Sequence, residues 1–403
     1  MDVRRTVEAV WRIEAPRLVA FLARLVQDVG LAEEIAQEAF ISALEQWPRD
    51  GVPDNPGAWL TSVARRRAVD LIRRERLRDQ KYAEVAAEPG GEDSDLLSLI
   101  FIACHPVLPR ESRAALALRL VGGLGTEEIA RAFLVPSATM GQRISRAKRT
   151  LSEAQVPYEV PGDDELPHRL SAVLEVVYLI FTEGYSSTSG EEWIRRDLTE
   201  EAMRLGRVLA GLMPREPEVH GLVALMALQS SRFRARVGPN GEPVLLQDQD
   251  RSRWDRTLIA HGLAALGRAR RAGKPLGPYT VQAAIAACHT RAHRFEDTDW
   301  DAVVALYDAL GQLAPSPVVE LNRAVALLHA DGPHAALAVL DGIREQPRMA
   351  RYHLYGAVRG DVLLKLGRRD EAAEELERAA GLAPTLRERT LLMERAAAAN
   401  RDQ

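Results

Sequence analysis

Apolar residues recur along nearly the whole chain at i, i+3 and i+4, the spacing of one helix face, and no stretch sustains strand-like alternation. Alanine, leucine, arginine and glutamate, all good helix formers, fill the positions between. The expected fold class is therefore all-α. In "LAEEIAQEAFISALEQW" the stripe is Leu31, Ile35, Ala39, Phe40, Ala43, Leu44 and Trp47, with Glu33, Glu34, Gln37, Glu38 and Glu45 expected mostly away from it. The following "NPGAWLTSVARRRAVDLIRRERLRDQ" puts Leu60, Val63, Ala64, Ala68 and Leu71 on one side, spaced to pack on that helix. Farther on, "TEEIARAF" and "SATMGQRISRAKRTL" flank the turn "LVP". Thr126 and Ser137 are the expected caps, and Met140, Ile144 and Ala147 the core of the second helix.

Three stretches break the pattern. "EVAAEPGGEDSDL" (84–96) reads as an acidic tether, "QVPYEVPGDDELP" (155–167) is interrupted by three prolines, and "RVGPNGEPVLLQDQDRSRW" carries a tight turn at Asn240-Gly241. The last third repeats itself. "WDAVVALYDALGQLAP", "HAALAVLDGIREQP" and "DEAAEELERAAGLAP" overlay on Ala302, Ala335 and Ala372, at spacings of 33 and 37 residues. These are close to the tetratricopeptide period of about 34. Gly367 falls at the helix-helix turn of the best copy, Pro384 ends its second helix, and "LRERTLLMERAAAAN" reads as a capping helix.

Length and composition narrow the class. A chain of 403 residues implies two or three domains, and 46% hydrophobic with 27% charged residues is globular. Two cysteines cannot make a disulfide framework and fit a reducing cytoplasm. The start lacks a signal-peptide core, and no apolar run is long enough to span a bilayer, so no membrane partner is expected.

The net charge of −4 hides segregation. Residues 28–54 hold seven acids and one base, 65–81 eight bases and three acids, 84–95 five acids and no base, and 143–149 four bases and no acid. Such separation points to different partners for different helices. Trp59, Arg66 and Arg73 fall seven residues apart on one stripe, with Arg65 on a flank. Arginines beside an aromatic suit single-stranded nucleic acid; a tryptophan buried at a helix start beside solvated arginines is the competing reading. The pair of helices around "LVP" reads as a helix-turn-helix. Ser137, Ala138, Gly141 and Gln142 are placed for base edges, and Arg143, Arg146, Lys148 and Arg149 for phosphates.

These residues resemble a known family. "LAEEIAQEAFISALEQWP" with "NPGAWLTSVARRRAVDLIRRERLR" is similar to region 2 of bacterial RNA polymerase sigma factors of the extracytoplasmic-function class (sigma-70 family), and "EEIARAFLVPSATMGQRISRAKRTL" to their region 4. "VVYLIFTEGYSS" and "LLQDQDRSRWDR" resemble the subgroup with a tetratricopeptide-like extension. The resemblance implies a region 2 bundle over 1–82, a flexible linker over 83–95 and a region 4 helix-turn-helix over 96–155. A helical extension over 165–275 and tetratricopeptide-like repeats over 276–403 follow. It implies core RNA polymerase as partner, through the β′ clamp helices on Glu34, Gln37 and Glu38 and through the β flap. It implies promoter DNA as the other partner: the −10 element at Trp59, Arg65, Arg66 and Arg73, the −35 element at Ser137, Gln142, Arg143, Arg146 and Lys148. Arg66 stands where many relatives have asparagine, and Gly141 where they often have lysine, so no promoter sequence carries over.

The extension is expected to regulate in cis or to receive a protein or small-molecule partner. Three arginines, three acids and a tryptophan in "LLQDQDRSRWDR" favour a structural ion-pair network over a ligand site. Cys288, His289 and His293 are a weak metal signal. Glu183 and Tyr185 have no nucleophile or base beside them. "GRARRAGKP" misses the phosphate-loop spacing and has Pro275 where serine or threonine belongs. No enzyme and no cofactor is expected. The alternative function is a DNA-binding regulator with a solenoid sensor, which has no use for the acidic docking helix.

Overall fold

The computed structural model describes residues 3–76, 91–133, 135–185, 196–238 and 244–401. Among these the fold is all-α, with eighteen α-helices and four short 3₁₀ turns, and no helix is long and apolar enough to cross a membrane. Residues 83–90 of the expected tether, Leu134 of the "LVP" turn, the Asn240-Gly241 turn and the Tyr185 side chain lie outside the described residues. The last four tether residues are instead helical. They form the first turn of a helix at Glu92–Ala103, whose N-terminal dipole favours acids there.

The chain divides into two compact units. The first holds α1 (Val3–Val26), α2 (Val29–Asp50), α3 (Pro56–Arg76), α4 (Glu92–Ala103), α5 (Arg110–Leu120), α6 (Thr126–Ala132), α7 (Ser137–Glu153), α8 (Leu166–Tyr185) and α9 (Arg196–Leu212). The α2 stripe packs as its spacing demands: Ile35, Ala39, Phe40, Ala43 and Trp47 are buried, although Leu31 is only half-buried and Leu44 is exposed. Phe40 meets Trp11 of α1 edge-on at 4.5 Å. Leu60, Ala64 and Ala68 of α3 are fully buried, and Asp28 caps α2 by accepting from the Leu31 amide at 2.8 Å.

The helices α8 and α9 pack in the same unit. Glu175 of α8 pairs with Arg110 at 3.1 Å and Arg113 at 3.4 Å on α5, and Arg169 donates to the Phe101 carbonyl at 3.3 Å. Arg204 of α9 donates to the Val121 carbonyl at 2.7 Å. The boundary between units therefore runs through the segment that the sequence reading takes as one extension over 165–275.

The second unit holds α10 (Pro217–Ser230), α11 (Arg256–Arg271), α12 (Pro278–Arg291), α13 (Trp300–Leu313), α14 (Pro317–Ala330), α15 (Pro333–Ile343), α16 (His353–Lys365), α17 (Arg369–Leu382) and α18 (Leu386–Arg401). From α12 onward each helix packs on its neighbour in sequence. The three overlaid segments are α13, α15 and α17, each the second member of a helix pair. Gly367, at φ +77°, makes the turn from α16 to α17, a conformation that suits residues without a Cβ. Pro384 lies between α17 and α18.

In "LLQDQDRSRWDR" the polar side chains bond backbone groups and a neighbouring hydroxyl rather than forming an ion-pair network. Asp250 accepts from the Ser252 amide and hydroxyl, and Asp255 caps α11 through the Leu258 amide at 3.0 Å. Buried Arg251 donates to the carbonyls of His289 and Ala292 at the end of α12 and lies over Trp254. An arginine in that place satisfies the last carbonyls of a helix, which its own ladder cannot.

The start of α12 is satisfied from a distance. Glu218 of α10 accepts from the amides of Gly277 (3.1 Å), Tyr279 (2.8 Å) and Thr280 (3.0 Å), and from the Thr280 hydroxyl. One carboxylate thus takes up donors that a helix start leaves open. Glu218→Ala is expected to destabilise the second unit by about 1–3 kcal/mol, read as a lower midpoint in calorimetric unfolding of the full chain.

Candidate nucleic-acid interface

The α2 helix presents an acidic outer face. Glu34 and Glu38 are exposed, and Gln37 is half-buried, donating to Glu33 Oε1 at 2.7 Å. Ile41, 54% exposed, and Glu45 continue the same face. Arg67 of α3 reaches Glu38 at 3.4 Å and donates to the Ser42 hydroxyl at 3.0 Å, fixing α3 against α2. Glu33 departs from the sequence expectation. It is 2% exposed, because it precedes Phe40 by two helical turns and so shares that residue's inward face.

On α3, Asn55 accepts from the Ala58 amide at 3.0 Å at the helix start. Trp59 is half-buried, its ring edge-on to Trp47 with centroids 5.5 Å apart. It therefore combines both readings, a packed aromatic with one part left to solvent. Arg65, Arg66 and Arg73 are exposed and line a groove of about 1030 Å³ between α1 and α3. Arg17 and Arg24 of α1 join them there, against Glu14, Asp70 and Asp95. The two α1 arginines were not foreseen, because their proximity to α3 depends on tertiary packing. Trp59 is not among the groove walls. Arg24 binds Asp95 at 3.0 Å; burial pushes the Asp95 carboxyl up, opposed by that guanidinium.

The helix-turn-helix is formed by α6 and α7, with Met140, Ile144, Ala147 and Leu151 buried. Both helices start one position from the expected caps. Gly125 precedes α6, and Glu128 reaches back to accept from its amide at 2.7 Å; Pro136 precedes α7, and Ser137 is the first helical residue. The rigid φ of proline and the reach of glutamate do what the hydroxyls were expected to do. Ser137, Ala138, Gln142 and Arg146 are exposed, and Arg143 half-exposed, at the outer surface of α7. Lys148 lies elsewhere: its ammonium pairs with buried Glu33, which also accepts from Arg119 Nε at 2.6 Å.

The first unit thus carries an acidic face with apolar residues, an arginine-lined groove and a helix with a basic outer side. Among the described residues no three His, Cys, Asp or Glu side chains converge as for a metal. His289 packs edge-on to Trp300 at 5.4 Å, and burial, with Arg232 and Arg251 nearby, lowers its pKa to about 4.

Comparison with known proteins gives three matches along the chain. Residues 11–78 match Sigma-70 region 2, residues 98–151 match Sigma-70, region 4, and residues 169–270 match a family of unknown function (DUF6596). The last match begins in α8 and ends in α11, so it crosses from one compact unit to the other. An uncharacterized protein of Rhizobium meliloti (strain 1021) is 46% identical over 382 residues, 91% of this chain and 90% of its own. A probable ECF RNA polymerase sigma factor, SigI of Mycobacterium tuberculosis, is 29% identical over 174 residues, 40% of this chain and 59% of its own. The ECF RNA polymerase sigma factor SigK of Mycobacterium bovis is 29% identical over 148 residues, 34% of this chain and 78% of its own. Residues 11–78 and 98–151 of this chain are thus a sigma-70 region 2 and a sigma-70 region 4, and a helical C-terminal extension follows them.

Proposed function

We propose that this protein directs core RNA polymerase to specific promoters, with region 2 opening the −10 element and region 4 reading the −35 element. The observation that carries the reading is the joint exposure of three surfaces on one unit. These are the acidic α2 face, the arginines of the α1–α3 groove and the outer side of α7. Glu34, Gln37 and Glu38 engage the β′ clamp helices; region 4 meets the β flap. Arg65, Arg66 and Arg73 follow phosphates of the opened strand while the free part of Trp59 receives a base. Ser137 and Gln142 face base edges, with Arg143, Arg146 and, once released from Glu33, Lys148 on phosphates.

The energetics fit a binding protein. Opening duplex DNA costs about 1.4 kcal/mol per stacked step, and captured bases return about 1–3 kcal/mol each through stacking. Binding to polymerase and strand therefore suffices in scale, and no hydrolytic step is invoked. The C-terminal extension regulates this activity in cis or receives a protein or small-molecule partner. Its first helices are packed against region 4, which supports a direct route.

Three measurements test the reading. Reversing charge in Glu34→Lys/Glu38→Lys is expected to weaken association with core polymerase at least about tenfold, about 1.4 kcal/mol, by titration of the purified proteins; undiminished affinity contradicts it. Arg143→Ala and Arg146→Ala are each expected to lower the slope of log affinity against log salt by about one on promoter duplex. Removing residues 213–403, which leaves α8 and α9 in place, is expected to change promoter-specific run-off transcription several-fold; equal output removes the regulatory role of the second unit.

A further inference from the structure

Helix α18 is apolar on two sides. On its inner side Leu392 and Ala396 are buried in the core shared with α17, and Ala399 is buried as well. Roughly 120° around the helix, Leu386, Thr390, Met393 and Ala397 form a second stripe, at the spacing of heptad positions d, a, d and a. All four are exposed, Leu386 at 77% and Met393 at 47%. Among the described residues no other helix of the second unit turns two large apolar side chains to solvent. Leu313, Leu354 and Leu382 stand one each on α13, α16 and α17. Single exposed leucines are ordinary, but a helix with an apolar stripe on each side normally has a neighbour on each side. Solenoids usually close with a polar outer face, and α18 does not supply one.

The charges of α18 divide in the same way. Glu388 accepts from the Thr385 hydroxyl at 2.8 Å and lies 3.9 Å from His353, and Arg395 pairs with Asp361 of α16. Arg389 and Glu394 are exposed and have no ion-pair partner among the described residues. They flank the outer stripe, one on each side, at heptad positions g and e. Their spacing of five residues matters. In two parallel helices packed through a and d, position g of one faces position e of the next heptad in the other. Two copies of α18 side by side thus set Arg389 of each against Glu394 of the other, twice. An antiparallel pair brings flank g onto flank g, where α18 offers Arg389 and Ala396 and no carboxylate.

We infer that α18 is a self-association surface, at which two copies of this chain join through parallel α18 helices about a two-fold axis. Such a contact is isologous and closes on itself, so it gives a dimer and not a filament. A helix of 16 residues is about 24 Å long, and one such seam is small beside stable interfaces of about 1,200–2,000 Å². Thr390 and Ala397 at the a positions fill it less well than valine or isoleucine would. The dimer is therefore weak, with a dissociation constant on the order of 10–100 μM. Because α18 is already held against α17, pairing pays no cost of folding the helix. The contact is independent of what the first unit binds.

Sedimentation of the full chain between about 1 and 200 μM is expected to show a reversible monomer–dimer equilibrium. Leu386→Asp and Met393→Asp are each expected to weaken it at least about tenfold, with the unfolding midpoint unchanged because both side chains are exposed. Arg389→Glu and Glu394→Arg are each expected to weaken it about fivefold. Mixing those two variants, or combining both changes in one chain, restores the wild-type affinity. Orientation is read by cross-linking in a Cys288→Ser background, where the remaining Cys104 is buried. Leu386→Cys and Met393→Cys lie about 10 Å apart along the helix. Mild oxidation is expected to link each to its own counterpart, whereas an antiparallel pair can link one at most. A chain that stays monomeric at about 200 μM, or a dimer that survives both aspartates, overturns the self-association. Charge variants that mixing does not rescue, or a cysteine pair of which only one links, overturn the parallel seam. A monomer whose Met393 is shielded from peroxide only by added core RNA polymerase gives the face to that partner, and overturns self-pairing too.

Discussion

A carboxylate that has left water must find positive charge, and in the first unit that requirement is met at Glu33. Burying an unpaired carboxylate costs several kcal/mol, and breaking a buried pair typically costs about 3–5 kcal/mol. Arg119 and Lys148 come from helices far from α2 in sequence. Satisfying one side chain therefore fixes how α5 and α7 lie against α2. Other contacts of α1 with the chain from α4 to α6 accompany that approach, among them the Trp11 bond to Gly123 and the Arg24–Asp95 pair. Tyr158, just beyond α7, adds a bond to the Asp95 carbonyl at 2.8 Å.

The charge distribution separates buried, paired ions from exposed ones. The carboxylates of Glu33, Glu175 and Glu218 hold helices together or satisfy helix starts. Those of Glu34 and Glu38 remain at the surface, as do the guanidiniums of Arg65, Arg66, Arg73 and Arg146. Exposed ions of this kind contribute little to stability, and ions so placed set the field that a charged partner would meet.

Much of this was legible in the sequence because helix periodicity reports burial directly. Met140, Ile144 and Ala147, and Leu60, Ala64 and Ala68, fall inside as their spacing requires, and the three overlaid C-terminal segments are equivalent members of helix pairs. The misplacement of Glu33 came from assigning α2 a single narrow apolar stripe, with its glutamates mostly away from it. Ala32 and Ala36, both fully buried, widen that stripe, and the two-turn spacing from Glu33 to Phe40 was the available signal. The cap assignments at Thr126 and Ser137 failed by one residue, where Gly125 and Pro136 set the helix starts. Contacts such as Arg204 to Val121, or Glu175 to Arg113, join residues distant in sequence, and no local pattern announces them.

The C-terminal helices, in contrast, lean chiefly on the helix before and the helix after. Elements coupled only to adjacent ones behave as a nearly one-dimensional chain, in which a defect is felt locally. Loss of the final helix α18 removes its packing on α17 and leaves earlier pairs with their own cores intact. Removing a whole pair at that end would leave the packing of the first unit unchanged. Length in this part of the molecule is thus a freely adjustable quantity, while the N-terminal unit, stitched by contacts far apart in the chain, admits no such editing.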